Sequence, residues 1–186
     1  MIRLIVTDFD GTLVDTFEAN LRAYQEAFRQ VGIPLTTERY RECFGYRFDR
    51  FMAAMAIDPQ TAKTIKEVKK NVYPNYFEYL CPNKALIALM GTAKAQGIKT
   101  AIASTARKEN LMNAVAYLGI ADNFDLIFAG VDVKQGKPSP EIYLKVMEHF
   151  GISAEETLIF EDSAVGIEAA KASGAKYMVV PQSQFE

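Results

Sequence analysis

Apolar and polar positions follow two different periods along this chain, and the change of period divides it. Ile2, Leu4, Ile5 and Val6 form a short, largely β-branched run that stops at Asp8, which predicts a buried strand ending at a sheet edge. From Phe17 to Val31 the apolar positions are Phe17, Leu21, Tyr24, Phe28 and Val31, steps of three and four that predict an amphipathic helix ended by Gly32. Pro34 to Leu80 holds no strand-like run. Thr37 is placed to cap a helix through Cys43, Gly45 breaks it, and Phe48 to Ala56 begins another. Asp58-Pro59 starts a longer helix that Pro74 kinks or divides.

From Asn83 onward the texture is helix then strand. Helices are predicted over Asn83 to Gln96, Arg107 to Leu118, Ser139 to Phe150 and Val165 to Ser173, each followed by glycine: Gly97, Gly119, Gly151 and Gly174. Strands are predicted over Ile98 to Ala103, Leu126 to Ala129, Leu158 to Phe160 and Tyr177 to Val180. Such alternation implies right-handed βαβ units and the α/β class, a Rossmann-like, mostly parallel sheet with helices on both faces. The first strand is separated from the second by the all-helical stretch. The expected organisation is therefore an α/β core of residues 1–15 and 82–186 with a helical insertion of residues 16–81.

Composition narrows the class. Of 186 residues, 49% are apolar and 24% charged, which suits an ordinary globular protein with a sizeable core. A net charge of −2 offers no electrostatic footprint for nucleic acid. The first apolar run is short and broken by Arg3 and Asp8, and no run approaches the roughly 20 residues of a membrane helix. A cytoplasmic location with no membrane partner is expected, with Cys43 and Cys81 as two buried thiols rather than a bridge. Lys63, Lys66, Lys69 and Lys70 read as a solvated helix face, and Tyr73, Tyr76 and Tyr79 as packing. His149, the single histidine, falls in the last turn of a predicted helix, where the C-terminal partial charge favours it, and reads as structural.

Asp8 and Asp10 are two apart, so on an extended backbone they share a side, and Gly11 allows a sharp turn directly after them. Two converging carboxylates repel, so a bound cation or a raised pKa is the expected resolution. Ligands of open parallel sheets sit beyond the carboxyl ends of the strands. Those ends supply Asp8 and Asp10, then Ser104 and Thr105, then Lys137 in the loop 132–139, then Glu161 and Asp162. Each has a plainer reading: Ser104, Thr105, Asp162 and Ser163 suit helix caps, and Lys137 a solvated lysine. Four coincidences at successive strand ends favour a site. A calcium loop would need a bidentate acid at its twelfth position, which from Asp8 is Ala19, and a helix before it.

The stretch D-F-D-G-T-L-V-D-T, Asp8 to Thr16, resembles the first signature of the haloacid dehalogenase (HAD) superfamily. I-A-S-T at Ile102 to Thr105 resembles the second, G-K-P-S-P at Gly136 to Pro140 the third, and F-E-D-S-A-V-G-I at Phe160 to Ile167 the fourth. The resemblance covers almost the whole core and little of the insertion. E-D-S-x-x-G-I-E-A-A-K-x-S-G-A is similar to the subgroup containing β-phosphoglucomutase, phosphoglycolate phosphatase and small sugar-phosphate phosphatases.

The resemblance implies a Mg2+-dependent phosphatase that hydrolyses a small phosphorylated metabolite through an aspartyl-phosphate. Asp8 would be the nucleophile and Asp10 the general acid/base. The metal would lie on Asp8, Asp10 through its backbone carbonyl, and Asp162, with Glu161 as a further ligand or a neighbour of one. Lys137, Ser104 and Thr105 would bind the phosphoryl group, and Thr12 and Thr16 would tune Asp10 or the turn. The insertion would be a mobile cap hinged near Asp15 and Pro82, with Asn20, Gly45, Tyr46 and Arg47 as candidate substrate contacts. β-Phosphoglucomutases carry a histidine where this chain has Asn20, and Gly45-Tyr46-Arg47-Phe48 matches their substrate loop poorly, so a phosphatase is expected ahead of a mutase. Dehalogenases of the superfamily lack the second aspartate, which is here Asp10, and phosphonate hydrolases need a cap lysine that no residue here matches. The alternative from another class is a catalytically silent member that binds a phosphorylated metabolite or a protein.

Overall fold

The computed structural model describes residues 1–181 and 185. The chain runs through β1 (Leu4–Thr7) and β2 (Val14–Asp15) into four helices, α1 (Phe17–Gln30), α2 (Thr37–Cys43), α3 (Phe48–Ala54) and α4 (Pro59–Val72). A 3-10 turn over Tyr73–Tyr79 leads to β3 (Cys81–Pro82). Helix and strand then alternate: α5 (Lys84–Ala95), β4 (Lys99–Ala103), α6 (Lys108–Tyr117), β5 (Leu126–Phe128), α7 (Glu141–Phe150), β6 (Thr157–Glu161), α8 (Ala164–Ala172) and β7 (Lys176–Val179). Two compact units result, one of Met1–Asp15 with Cys81–Glu186 and the other Thr16–Leu80.

The first unit is built on a five-stranded sheet in the order β5-β4-β1-β6-β7, every neighbouring pair parallel. β1 is buried along its whole length, as its unbroken apolar run requires of a central strand. Leu4 and Val6 join Ala101, Ala103 and Ile159 of the flanking strands, Ile142, Tyr143 and Val146 of α7, and Ala169 and Ala170 of α8 in one core. From β1 the chain moves outward to β4 and β5, then returns across β1 to β6 and β7. The strand order therefore reverses between β1 and β6, the place where such sheets open a crevice. Thr7 lies level with Ile102 of β4 and Phe160 of β6, so the residues that follow each of them emerge together at one edge.

The second unit is helical. Leu21, Ala27 and Phe28 of α1 pack with Tyr40, Cys43, Phe51, Met52 and Ile65. Thr36, not Thr37, caps α2, its hydroxyl accepting from the Arg39 N–H. Asp58 caps α4 with Pro59 in the first turn, and Pro74 converts the end of that helix to 3-10 geometry instead of ending it outright. Lys63 and Lys66 are exposed, but Lys69 is not part of a solvated face: it is 7% exposed, with its ammonium 3.6 Å from the Tyr73 ring centroid and 5.1 Å from that of Tyr24. The aromatic faces offset part of its lost hydration. Tyr76 donates to Glu26, and Tyr79 lies under Arg22.

Two features of the first unit depart from the sequence reading. β2 and β3 form an antiparallel pair, Val14 with Pro82 and Asp15 with Cys81, too short to leave a period in the sequence. That pairing leaves Cys81 exposed at the rim, so only Cys43 is the buried thiol expected; both are free. His149 packs edge-on against Phe128 and Phe150, a structural role. Among the described residues no helix is long and apolar enough to cross a membrane.

Asn83 ties α5 to the turn after β1. Its carboxamide oxygen accepts from the Leu86 N–H, its amide nitrogen donates to the Thr12 carbonyl, and its backbone N–H donates to the Leu13 carbonyl. Asn83→Ala, which removes a cap and a buried hydrogen bond, is expected to cost about 1–3 kcal/mol in urea unfolding, with Asn83→Asp recovering the cap portion.

Candidate active site

The chain turns tightly where β1 ends. The Leu13 and Val14 N–H groups both donate to the Phe9 carbonyl, and the Gly11 N–H donates to the Val14 carbonyl. Gly11 has φ +87°, and a Cβ built on it would lie 2.3 Å from Asp162 Oδ2, so the turn needs glycine for its conformation and for the acid that rests on it. Asp162 Oδ1 accepts from the Thr12 hydroxyl at 2.7 Å. Thr12 thus serves Asp162, while Thr16 lies at the N-terminus of α1 in the helical unit.

Lys137 arrives from the loop before α7 with its side chain only 4% exposed. Its ammonium donates to Asp8 Oδ1 at 2.5 Å, to Glu161 Oε1 at 2.5 Å and to the Ala103 carbonyl at 3.1 Å. Glu161 has no exposure. Its Oε1 also accepts from the Tyr143 hydroxyl at 2.8 Å, and its Oε2 accepts from the Asp162 N–H, the Ser163 N–H and the Ser163 hydroxyl. A Cβ on Gly166 would fall 1.9 Å from Oε1, so the glycine of the fourth signature is space reserved for this carboxylate. The loop itself is braced by Glu141, whose two oxygens accept from the Lys134 and Gln135 N–H groups, and by Lys145, which donates to the Asp132 carbonyl.

Ser104 follows β4. Its hydroxyl donates to Asp10 Oδ2 at 3.3 Å and accepts from the Ala106 N–H. α6 starts later, at Lys108, and no side chain caps it, so neither Ser104 nor Thr105 is a helix cap. Thr105 contributes backbone: its carbonyl would stand 2.6 Å from a Cβ on Gly130. Ser163, in contrast, does cap α8 through the Gly166 N–H. Asp8, Asp10, Ser104, Lys137, Glu161 and Asp162 are thus linked at one sheet edge. Tyr143 and Gly166 belong to the same network and were not singled out by sequence; Tyr143 is hidden in the apolar face of α7, whereas Gly166 stands within the motif already noted.

Charge is unbalanced here, with four carboxylates around one ammonium. Burial first, then Glu161, Asp162 and Asp10, push the Asp8 pKa well above the usual carboxylate range despite Lys137. Burial, with Glu161 and Asp10 adding and the Thr12 hydrogen bond opposing, brings Asp162 to about 6. Burial alone would lower Lys137, but the Asp8 and Glu161 carboxylates outweigh it and hold the lysine charged. Glu161 is likewise buried yet stays below its ordinary value because Lys137 and the hydrogen bonds to it favour the anion. Asp8, Glu161 and Asp162 each place an oxygen within 4.8 Å of the others, a donor set of hard oxygens suited to a divalent cation.

Asn20, Gly45, Tyr46 and Arg47 lie in the helical unit. Asn20 is buried on α1. Gly45 has φ +84° in the turn after α2, the Tyr46 ring lies under the Arg50 guanidinium, and Arg47 pairs with Asp49 at 3.8 Å.

Residues 5–180 match the family model described as haloacid dehalogenase-like hydrolase. A phosphorylated carbohydrates phosphatase of Thermotoga maritima is 29% identical over 174 residues, covering 91% of this chain and 81% of that protein. Among solved structures, a mutant of CbbY from Rhodobacter sphaeroides in complex with xylulose-(1,5)bisphosphate is similar with a TM-score of 0.88 at 28% identity, over 97% of this chain and 87% of the other. A putative β-phosphoglucomutase from Thermotoga maritima gives 0.73 at 30% identity, over 97% and 86%. The match over nearly the full length makes this chain a member of the haloacid dehalogenase-like hydrolases.

Proposed function

We propose that this protein is a Mg2+-dependent phosphatase that hydrolyses a small phosphorylated carbohydrate through an aspartyl-phosphate. The observation that carries the reading is Asp8 and Lys137 in direct contact, among carboxylates that leave the pocket short of positive charge. A phosphate dianion 4 Å from a carboxylate is opposed by about 8 kcal/mol at an effective dielectric of 20, roughly 4 for each charge pair. One lysine offsets only part of that.

The residues present fit a magnesium ion: Asp8 and Asp162 offer side-chain oxygens on either side of the Gly11 turn, and the Asp10 carbonyl belongs to the same turn. The ion would supply compensating charge for the incoming phosphoryl oxygens. Glu161 is assigned to Lys137 instead, because both of its oxygens are already occupied by donors.

In the first step an Asp8 oxygen attacks phosphorus, the bond to the ester oxygen breaks, and Asp10 gives that oxygen its proton. In the second step Asp10 takes a proton from water, the water attacks the acyl phosphate, and Asp8 and phosphate are released. Ser104 holds the Asp10 carboxylate between these steps. Lys137 compensates charge on the transferring group and favours the ionised form of Asp8 against the burial that opposes it. The named activities of the relatives, on phosphorylated carbohydrates and with a bound sugar bisphosphate, support a carbohydrate substrate. Asn20 in the first cap helix, in place of a histidine, supports hydrolysis over phosphoryl return to a sugar.

With p-nitrophenyl phosphate and magnesium, Asp8→Asn is expected to lower kcat by at least about a thousandfold and Lys137→Met by about a hundredfold or more. No hydrolysis by the wild type with any divalent metal would sink the reading in favour of a silent binder. Conversion of β-glucose 1-phosphate to glucose 6-phosphate with little free phosphate would replace it with the mutase. The raised pKa of Asp162 also has a defined sign: its folded state binds the proton more tightly than the unfolded chain, so its contribution to stability is present below the unfolded value and is lost as pH rises through about 6. Asp162→Asn is therefore expected to be more stable than the wild type at pH 7.5 in chelator, on the order of 1–3 kcal/mol in denaturant unfolding, with the gap closing as pH falls toward 4.

A further inference from the structure

Tyr143 is among the largest side chains with no exposure, on the buried face of α7 beside Ile142, Val146 and Met147. Its ring packs in the sheet core, and a phenylalanine would fill that volume equally well. A buried hydroxyl is costly unless paired, and this one is paired, donating to Glu161 Oε1 at 2.8 Å. The two ends of Glu161 are held unequally. Oε2 is fixed by three donors of the turn after β6, whereas Oε1, among the described residues, is held by Lys137 and Tyr143. Without the hydroxyl, Oε1 keeps Lys137 as its donor, and the ammonium, still in contact with Asp8 and the Ala103 carbonyl, loses the bracket on its Glu161 side.

We infer that Tyr143 is a positioning residue, whose hydroxyl fixes Glu161 Oε1 and through it holds the Lys137 ammonium level with Asp8. The inference rests on the phosphatase reading for its catalytic consequence, but the bracket itself is a property of the protein without substrate. Tyr143 touches no reacting atom. Its hydroxyl acts along three contacts, Tyr143 to Glu161, Glu161 to Lys137, and Lys137 to Asp8, while its ring lies 5.1 Å from the Lys137 ammonium, a contact that a phenylalanine keeps. The neighbouring glycine is part of the same seat, since a side chain at position 166 would collide with the Glu161 carboxylate.

Tyr143→Phe removes the hydroxyl and keeps the ring. With p-nitrophenyl phosphate, kcat per folded molecule is expected to fall about tenfold or more while KM stays within twofold, as for other residues that orient a charged group at one remove. In a Glu161→Gln background the same change is expected to add less than a further twofold; independent, multiplying losses would mean that Tyr143 acts elsewhere and overturn the inference. The second readout needs no turnover: the Lys137 ammonium signal in 15N NMR of the full chain, assigned by its loss in Lys137→Met, is expected to exchange with water about tenfold faster in Tyr143→Phe. Exchange that is unchanged or slower, or kcat within twofold of the wild type, would overturn the proposal. Faster exchange in a wild-type background that hydrolyses nothing would leave the bracket standing and remove the phosphatase reading alone.

Discussion

The Lys137 ammonium is the contact on which the site depends. It is nearly inaccessible to solvent and spends its three protons on Asp8, Glu161 and the Ala103 carbonyl, joining the ends of β1, β4 and β6 through one atom. Burying a carboxylate without a partner is costly, and this edge of the sheet buries several. A lone lysine shared between two of them compensates only part of the charge, so Asp8 and Asp162 keep raised pKa values. That residual deficit is what makes the pocket receptive to a cation.

Much of the surrounding structure serves to keep that arrangement in place. Two glycines make room where a side chain would collide with a carboxylate, Gly11 under Asp162 and Gly166 against Glu161. Helix α7 contributes twice from its first turn: Glu141 gathers the backbone of the loop that carries Lys137, and Tyr143 donates to Glu161. The scaffold spends its polar contacts on orientation, the requirement for electrostatic stabilisation at a reacting centre. The helical unit is organised differently, around tilted and edge-on aromatic rings and cations such as Lys69 beside Tyr24 and Tyr73.

Membership of the haloacid dehalogenase-like hydrolases rests on a match across residues 5–180 and on the parallel sheet. The chemistry proposed for this chain follows from its own side chains: an acid that must be ionised to attack, a second acid steadied by Ser104, and a lysine that sustains the first. The four strand-end groups were legible in the sequence because a buried strand advertises itself as an apolar run and its polar successor marks the rim. Their pairing was less legible. Thr12, expected to tune Asp10 or the turn, bonds Asp162, 150 positions away, a contact that no local pattern can express.

Sequence alone determined most of the elements, because helix and strand periods, the Asp58-Pro59 helix start, and the glycines after most helices are local signals acting over a few residues. It also determined the chemical inventory of the site, since residue types at strand ends do not depend on how the strands are arranged. Tertiary structure alone decided the rest. The short β2–β3 pair, the exposure of Cys81, the burial of Lys69 and the joining of Tyr143 to Glu161 all depend on segments distant in the chain meeting at angstrom distances. Hydrogen bonds and desolvation act between neighbours in space, and one chain's order of residues names those neighbours only after it has folded.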